Sequence, residues 1–285
     1  MKSARTFDRR RIGMIIATIF AILMALGFAL PAFWMLTSSL RPNAEIFANL
    51  SPLTIWSIIP QTTTLNNIVG LFRSGFAHAL LNSLVVTAIT TSLGLIIAIL
   101  AAFALAIMSF PGKNLLFALF VIGFSVPLDA VAVPLSAQVR ALGLSNTYFG
   151  LALAGLGNGL AIYLLRQFFA AIPDALKEAA RIDGASWLRI AFSIYLPLAK
   201  APATAAGLTL FVFQWQAFLW PLLIASDPRM QVGPVALASL VSLAGVVNFS
   251  QMFAGALVLS IVPAGLMLWL QRYFVQSISR TGITG

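Results

Sequence analysis

Ile172-Pro173-Asp174-Ala175-Leu176-Lys177-Glu178-Ala179-Ala180-Arg181-Ile182-Asp183-Gly184-Ala185-Ser186-Trp187-Leu188-Arg189-Ile190-Ala191-Phe192-Ser193-Ile194-Tyr195-Leu196-Pro197 is a charged interruption in an otherwise strongly apolar chain. It reads as two short helices. Pro173 and Asp174 suit a helix start, where proline needs no hydrogen-bond partner for its nitrogen and an acid meets the positive dipole end. Gly184 suits a left-handed stop. Ser186 suits the cap of the second helix, and Pro197 its end. Ala175, Glu178, Ile182 and Ala185 fall roughly on one face of the first helix. Small residues there admit the close approach of a partner backbone, so the segment predicts a compact helical knob.

What surrounds the knob is membrane. Of the 285 residues, 60% are hydrophobic and 8% charged, and the mean hydropathy is +0.99. A soluble domain carries about 25% charged residues; a chain this poor in charge needs lipid as its main solvent. Six apolar runs, near 13–38, 80–109, 115–138, 148–170, 201–225 and 254–276, match the roughly 20 helical residues that cross a bilayer core. The expected fold class is an all-α membrane protein of about six transmembrane helices. The first run has an apolar region too long for a signal peptide and reads as a retained anchor. The apolar stretch 234–247 is short and reads as part of an outer loop or a re-entrant segment.

Charge sets the orientation. Lys2, Arg5, Arg9, Arg10 and Arg11 precede the first run. With that end in the cytoplasm, Lys113, Arg166, Lys177, Arg181, Arg189, Lys200, Arg272 and Arg280 also fall inside, and only Arg41, Arg73, Arg140 and Arg229 fall outside. This is the positive-inside pattern. It divides the chain into a basic cytoplasmic N-terminus (1–12), a six-helix transmembrane domain (13–276) with the cytoplasmic loop 171–200, and a cytoplasmic tail (277–285). The net charge of +10 is thereby assigned to membrane topology, and no nucleic-acid partner is expected. The first outer loop, 39–79, is the longest and holds the turn-prone Arg41-Pro42-Asn43, Ser51-Pro52 and Thr62–Thr64. Cysteine is absent and His78 is the single histidine, so neither a disulfide, a cysteine nucleophile nor a metal site is expected.

Glu178-Ala179-Ala180, three residues, Gly184, nine residues, then Ile194-x-Leu196-Pro197 resembles the EAA motif of the permease subunits of ATP-binding-cassette importers. Asn82-Ser83-Leu84, the Pro127/Pro134 spacing and Gly282-Ile283-Thr284 are similar to the carbohydrate-uptake, maltose-type branch, and the resemblance covers essentially the whole chain. It implies a type I importer permease bundle in the bacterial inner membrane, both termini cytoplasmic, with the loop as a coupling helix docked in a cleft of an ATPase. Carried over, the coupling residues are Glu178, Ala179, Ala180, Arg181, Ile182, Asp183, Gly184 and Ala185. Glu178 contacts the ATPase, Ala179 and Ala180 permit close docking, and Gly184 forms the bend. The implied partners are a second homologous permease subunit, two ATP-binding-cassette ATPase subunits, and a periplasmic or lipid-anchored solute-binding protein that delivers a sugar or sugar derivative. Gly285 stops short of the longer tail common in relatives, which in the maltose-type member reaches the ATPase dimer.

No G-x-x-x-x-G-K-[ST] phosphate loop occurs; Pro111-Gly112-Lys113 lacks its first glycine and its Ser or Thr. The chain is therefore expected to be a transport subunit and no enzyme, binding no cofactor itself, with ATP and Mg used by a separate ATPase. Polar groups at bilayer depth usually face a cavity, which nominates Asn158, Gln214, Trp215, Gln216 and Trp220 as lining the substrate path. The same residues also suit helix–helix packing. Asp129, near the outer end of the third span, reads as a gate contact or a hydrated loop carboxylate. Two other classes fit poorly. A proton-coupled carrier needs carboxylate or histidine relays within spans, whereas Asp174, Glu178 and Asp183 lie in the loop. An intramembrane enzyme needs a motif such as G-x-S-x-G, H-E-x-x-H or paired carboxylates within a span, and none is present.

Overall fold

The computed structural model describes residues 2–48, 52–242 and 247–281, and no strand occurs among them. The chain divides into two compact units, Met1–Gly75 with Leu240–Ser260, and Phe76–Ser239 with Ile261–Gly285.

The first unit opens with α1 (Lys2–Ser39), a continuous helix whose segment Arg11–Ser39 is long and apolar enough to cross a membrane. The segment expected as a basic N-terminus, 1–12, is helical from Lys2 onward. Beyond α1 the outer loop carries α2 (Glu45–Ala48), a 3₁₀ turn at Ile55–Ser57 and α3 (Asn66–Arg73). Arg41, in the turn-prone Arg41-Pro42-Asn43 of this loop, is fully buried. Its guanidinium donates to the carbonyls of Trp56, Ser57 and Ile58, and Asn67 donates to the carbonyls of Ser39 and Arg41 at 3.0 and 2.9 Å. A loop that must be buried needs partners for its backbone oxygens, and a five-donor side chain supplies several at once. Asn43 extends this network by donating to the Val247 carbonyl and accepting from the Phe249 amide.

The second unit is organised around α4 (Phe76–Ile107), which presents Ala79, Ser83, Val86, Thr90, Gly94, Ala98 and Ala102 as one buried, mostly small-residue stripe. Small side chains let neighbouring helices approach, the usual basis of packing in lipid. After α4 come α5 (Lys113–Ser125), α6 (Leu128–Ala141), α7 (Tyr148–Leu156) and α8 (Gly159–Ala170). The loop carries α9 (Asp174–Ile182), α10 (Trp187–Ile190), a π-helical segment at Ala191–Tyr195 and α11 (Leu196–Leu198). α12 (Lys200–Trp215), α13 (Leu219–Ile224), α14 (Gly233–Ser242) and α15 (Phe249–Thr281) complete the chain. α15 belongs to the first unit up to Ser260 and to the second beyond it. Gly282, Ile283, Thr284 and Gly285 lie outside the described residues.

Three helices, Arg11–Ser39, Phe76–Ile107 and Phe249–Gln271, pass as unbroken spans; three bent pairs bring the number to six at most. The expected uniform run 115–138 is the pair α5 and α6, bent by 98°. Val126 is extended (φ −80°, ψ 117°) because the following Pro127 disfavours the helical region for its predecessor. The run 148–170 is α7 and α8, bent by 47° at Gly157 and Asn158. The run 201–225 also departs from expectation. α12 ends at Trp215, and at its other end it meets Trp187–Leu198 at 93°. Pro202 fits only within a first helical turn, where no amide hydrogen is required, so α12 starts afresh there. The stretch 234–247, expected as an outer loop or re-entrant segment, is helical over Gly233–Ser242; residues 243–246 lie outside the described set. Asn82 and Ser83 hold its approach. Asn82 donates to the carbonyls of Arg229 and Gln231 and accepts from the Tyr148 hydroxyl, while Ser83 accepts from the Gly233 amide.

Gly150 is the tightest close approach in this unit: a Cβ there would stand 2.1 Å from the Leu144 carbonyl oxygen, a backbone atom. Gly157 opens onto free space. Gly150→Ala is therefore expected to destabilise the protein by about 1–3 kcal/mol, the usual cost of overpacking, and Gly157→Ala by much less. Thermal unfolding of the two purified variants in detergent checks this; equal midpoints would mean that the Leu144 turn yields freely.

Candidate functional site

The loop after α8 folds as a helix–turn–helix. α9 begins at Asp174, with Pro173 extended before it as the N-cap. Lys177 pairs with Asp174 at 2.6 Å, and that hydrogen bond holds the ammonium above its ordinary pKa. The helix ends in a Schellman motif. Gly184 lies at φ +75°, its amide donates to the Arg181 carbonyl, and the Ala185 amide donates to the Ala180 carbonyl. Ser186 accepts from the Arg189 amide at 3.3 Å and starts α10. Pro197, expected to end the second helix, lies one residue before its end at Leu198, where the path breaks from α12 by 93°. The helical path continues to Leu198 because the wider π turn at Ala191–Tyr195 precedes the proline and relieves the carbonyl its ring would strike.

The inner face of the loop is fixed to the bundle. Ala180, Ile190, Ala191, Tyr195 and Ala199 share one buried core with Ala98, Ala102 and Phe103 of α4 and with Leu165 and Phe169 of α8. Phe103 meets Tyr195 edge-on at 5.3 Å and Phe169 meets it at 5.8 Å. Trp187 adds a third partner to Phe103 and lies under the Arg181 guanidinium, 4.7 Å from its ring centre. Arg181 also donates to the Ala185 carbonyl. Glu178 forms no ion pair with Arg181, so the simple helix-surface pairing that these two residues permit is not made.

The outer face is different. Ala175, Glu178, Ala179, Asp183 and Gly184 are exposed, and Ile182 is 86% exposed. Leu176 and Leu188 are exposed apolar residues nearby, which the sequence reading did not single out. Ala185, expected on the one face with Ala175, Glu178 and Ile182, and Ala180, expected from the resemblance to permit close docking, both sit inward. Ala180 is buried in the chain's own core and Ala185 packs against that core. Their small side chains pack within the chain, Ala180 from the helix face turned to the core and Ala185 from just beyond the turn.

A second feature is a cleft of about 700 Å³ lined by Phe124, Gly155, Gly157, Asn158, Phe213, Gln214 and Trp220, among others. It opens where α7 breaks from α8. Asn158 caps α8 by accepting from the Ala161 amide at 2.9 Å. Gln214 accepts from the Thr90 hydroxyl at 3.1 Å, and the Trp220 indole donates to the Gly150 carbonyl. Of the five path residues expected, Asn158, Gln214 and Trp220 come together here. Trp215 and Gln216 do not line the cleft: Trp215 is buried and stacked on Phe211, and Gln216 is exposed. Residues 214–216 point three ways because consecutive helix positions are about 100° apart. Asp129 is exposed in the first turn of α6 and does not line the cleft either. The signal for the cleft that went unread is Gly155-x-Gly157-x-Gly159, a glycine-rich break inside an apolar run.

Comparison with known proteins places this geometry. Residues 94–280 match the family described as binding-protein-dependent transport system inner membrane component. The sn-glycerol-3-phosphate transport system permease protein UgpE of Yersinia pestis bv. Antiqua is 31% identical over 279 residues, covering 95% of this chain and 98% of that one. The arabinooligosaccharides transport system permease protein AraQ of Bacillus subtilis is 31% identical over 274 residues, covering 94% and 95%. Among solved structures, a chain of a bacterial ABC transporter involved in the import of the acidic polysaccharide alginate superposes with a TM-score of 0.75 at 21% identity, over 93% of this chain and 97% of that one. A second structure, of a bacterial alginate ABC transporter in complex with an alginate pentasaccharide-bound periplasmic protein, gives 0.60 at 15% identity. With two thirds of its length under the family model and near-full-length relatives above 30% identity, the chain belongs to the family of binding-protein-dependent transport system inner membrane components.

Proposed function

We propose that this chain is one permease subunit of an ATP-driven importer for a sugar or sugar derivative, and that the loop 171–200 is its coupling element. The single observation that carries the reading is the two-sidedness of that loop. One face is locked into the core by Ala180, Ile190 and Tyr195; the other offers the exposed Ile182 between Glu178 and Asp183. An isoleucine left 86% exposed outside the spans suits a pocket on another protein. The proposed partners are a second permease subunit, two ATPase subunits that bind ATP and Mg, and a solute-binding protein. In the proposed orientation, N- and C-termini and the loop face the cytoplasm.

The mechanism follows from rigidity. ATP can shift an equilibrium between inward- and outward-facing states only through a differential interaction with the two. Closure of the ATPases supplies that difference if their clefts carry the loop with them. Because Phe103, Phe169 and Tyr195 form one packed group, a displacement of α9 and α10 is passed to α4 and α8. Those helices frame the cleft through Gly159 at the start of α8 and through Thr90, which holds Gln214.

Substrate class is inferred from relatives and lining together. UgpE and AraQ are named for sn-glycerol-3-phosphate and arabinooligosaccharides. Among the described residues no charged side chain lines the cleft, which pairs aromatic faces with the amides of Asn158 and Gln214. That chemistry suits an uncharged, hydroxyl-rich ring better than a phosphate ester.

Two experiments test the reading. Glu178→Lys is expected to leave the assembled importer in the membrane yet abolish substrate-stimulated ATP hydrolysis in proteoliposomes; normal stimulation would remove Glu178 from the coupling face. Orientation is open to direct test because the chain has no cysteine. A membrane-impermeant maleimide applied to spheroplasts should label Thr63→Cys and spare Ser186→Cys until the membrane is permeabilised. The reverse order of labelling would overturn both the topology and the coupling role.

A further inference from the structure

Where α5 begins and α8 ends, two cations converge beside a third on α9. Lys113 opens α5 and donates to the carbonyls of Ala106 and Met108, each at 2.9 Å, so its ammonium caps the C-terminal end of α4. Arg166, in the last turns of α8, lies with its guanidinium carbon 3.8 Å from the centre of the Phe117 ring. Phe117 in turn stacks on Tyr163, at 6.4 Å and 9° between planes. Lys113 lies one helical turn before Phe117 on α5, the ring that Arg166 covers, so the two cations flank the same aromatic residue. Asp174, the acid within reach, is already held by Lys177.

Arg166 is therefore a cation with donors to spare. Its Nε is buried with no hydrogen-bond partner, and its guanidinium forms no ion pair among the described residues. A guanidinium held over an aromatic ring still offers N–H groups at its edge. That edge matches two oxygens of a phosphate. One turn farther along α5, Leu116 is 51% exposed; one turn back along α8, Tyr163 is 39% exposed. Both lie on the side of the cations that runs into the apolar helices. A ligand satisfying the whole surface has a phosphate at one end and hydrocarbon at the other.

We propose that Arg166 and Lys113 form a binding site for the phosphate of an anionic phospholipid, whose acyl chain lies along Leu116 and Tyr163. Charge complementarity selects the lipid class: three cations against one engaged carboxylate repel the ammonium of a zwitterionic headgroup and accept a net negative one. Bound there, the lipid neutralises Lys113 and Arg166 together and so ties α5 to α8 at their loop ends. The test is run on the assembled importer and so rests on the transport reading for its sample, but it reads lipid association in place of uptake, which keeps the two outcomes distinguishable.

The experiment uses the full importer complex in nanodiscs of phosphatidylcholine doped with spin-labelled phosphatidylglycerol or spin-labelled phosphatidylcholine. The motionally restricted fraction of each label gives the relative association constant. The parent complex should restrict phosphatidylglycerol in preference. Arg166→Gln should lower that preference about fivefold, the worth of one cation near a membrane surface. Arg166→Lys should keep part of it, and Arg140→Gln, a basic residue on α6 outside the site, should change nothing. Leu116→Glu leaves both cations in place and sets a carboxylate beside the phosphate; it should lower the preference as well and serves if Arg166→Gln fails to assemble. An undiminished preference in Arg166→Gln or in Leu116→Glu overturns the proposal, as does an equal loss in Arg140→Gln. Displacement of the label by millimolar inorganic phosphate would assign the site to a soluble anion and overturn the lipid.

Discussion

The meeting of Phe103, Phe169 and Tyr195 is the interaction on which the attachment of the loop 171–200 to the second unit depends. These rings come from α4, α8 and the π-helical segment of the loop, and they contact one another edge to face. Edge-to-face aromatic pairs are worth about 0.5–1.5 kcal/mol each beyond their buried area. Their larger consequence is mechanical. A loop outside the spans is normally the least ordered part of a membrane protein, and here Ala180, Ile190, Tyr195 and Ala199 bury it in the same core as the spans. A knob that moved independently of the bundle would transmit nothing to it.

Lipid as solvent explains the rest of the architecture. In hydrocarbon every backbone amide and carbonyl must find a partner inside the protein, so each break in a span has to be closed by something local. The break before α8 is closed by the Asn158 side chain. The start of α7 is closed by Thr147, whose hydroxyl accepts from the Gly150 amide. The C-terminal end of α4 is closed by Lys113. The polar residues that punctuate the apolar runs are thus backbone partners first, and the cleft beside Asn158 exists because a broken helix leaves room where an unbroken one would not. Lys113 also brings a cation beside Arg166, which places two like charges at one end of the second unit. That arrangement is the basis for assigning a phosphate there.

Much of the loop 171–200 was legible as written because its signals are local. Pro173 and Asp174 mark a helix start, Gly184 takes the left-handed conformation and Ser186 caps the next turn. Each depends on residues within four positions. The path residues were legible only in part. Residues 214–216 are all polar or aromatic, and their identities carry no information about which of the three lines the cleft.

The sequence by itself determined that this protein lives in lipid, that it is helical, and that a charged helix–turn–helix interrupts its spans, because hydropathy, charge placement and cap chemistry are sums over neighbouring residues. Family membership follows from the same linear pattern. Only the tertiary structure decided that Ala180 and Ala185 turn inward while Ile182 turns outward, that Arg41 is buried, and that three of the expected spans are broken. It alone decided that Asn158, Gln214 and Trp220 share a cleft from which Trp215 and Gln216 are absent. Those outcomes depend on contacts between residues tens of positions apart, such as Thr90 with Gln214 and Gly150 with Trp220, and distance along the chain holds no record of them.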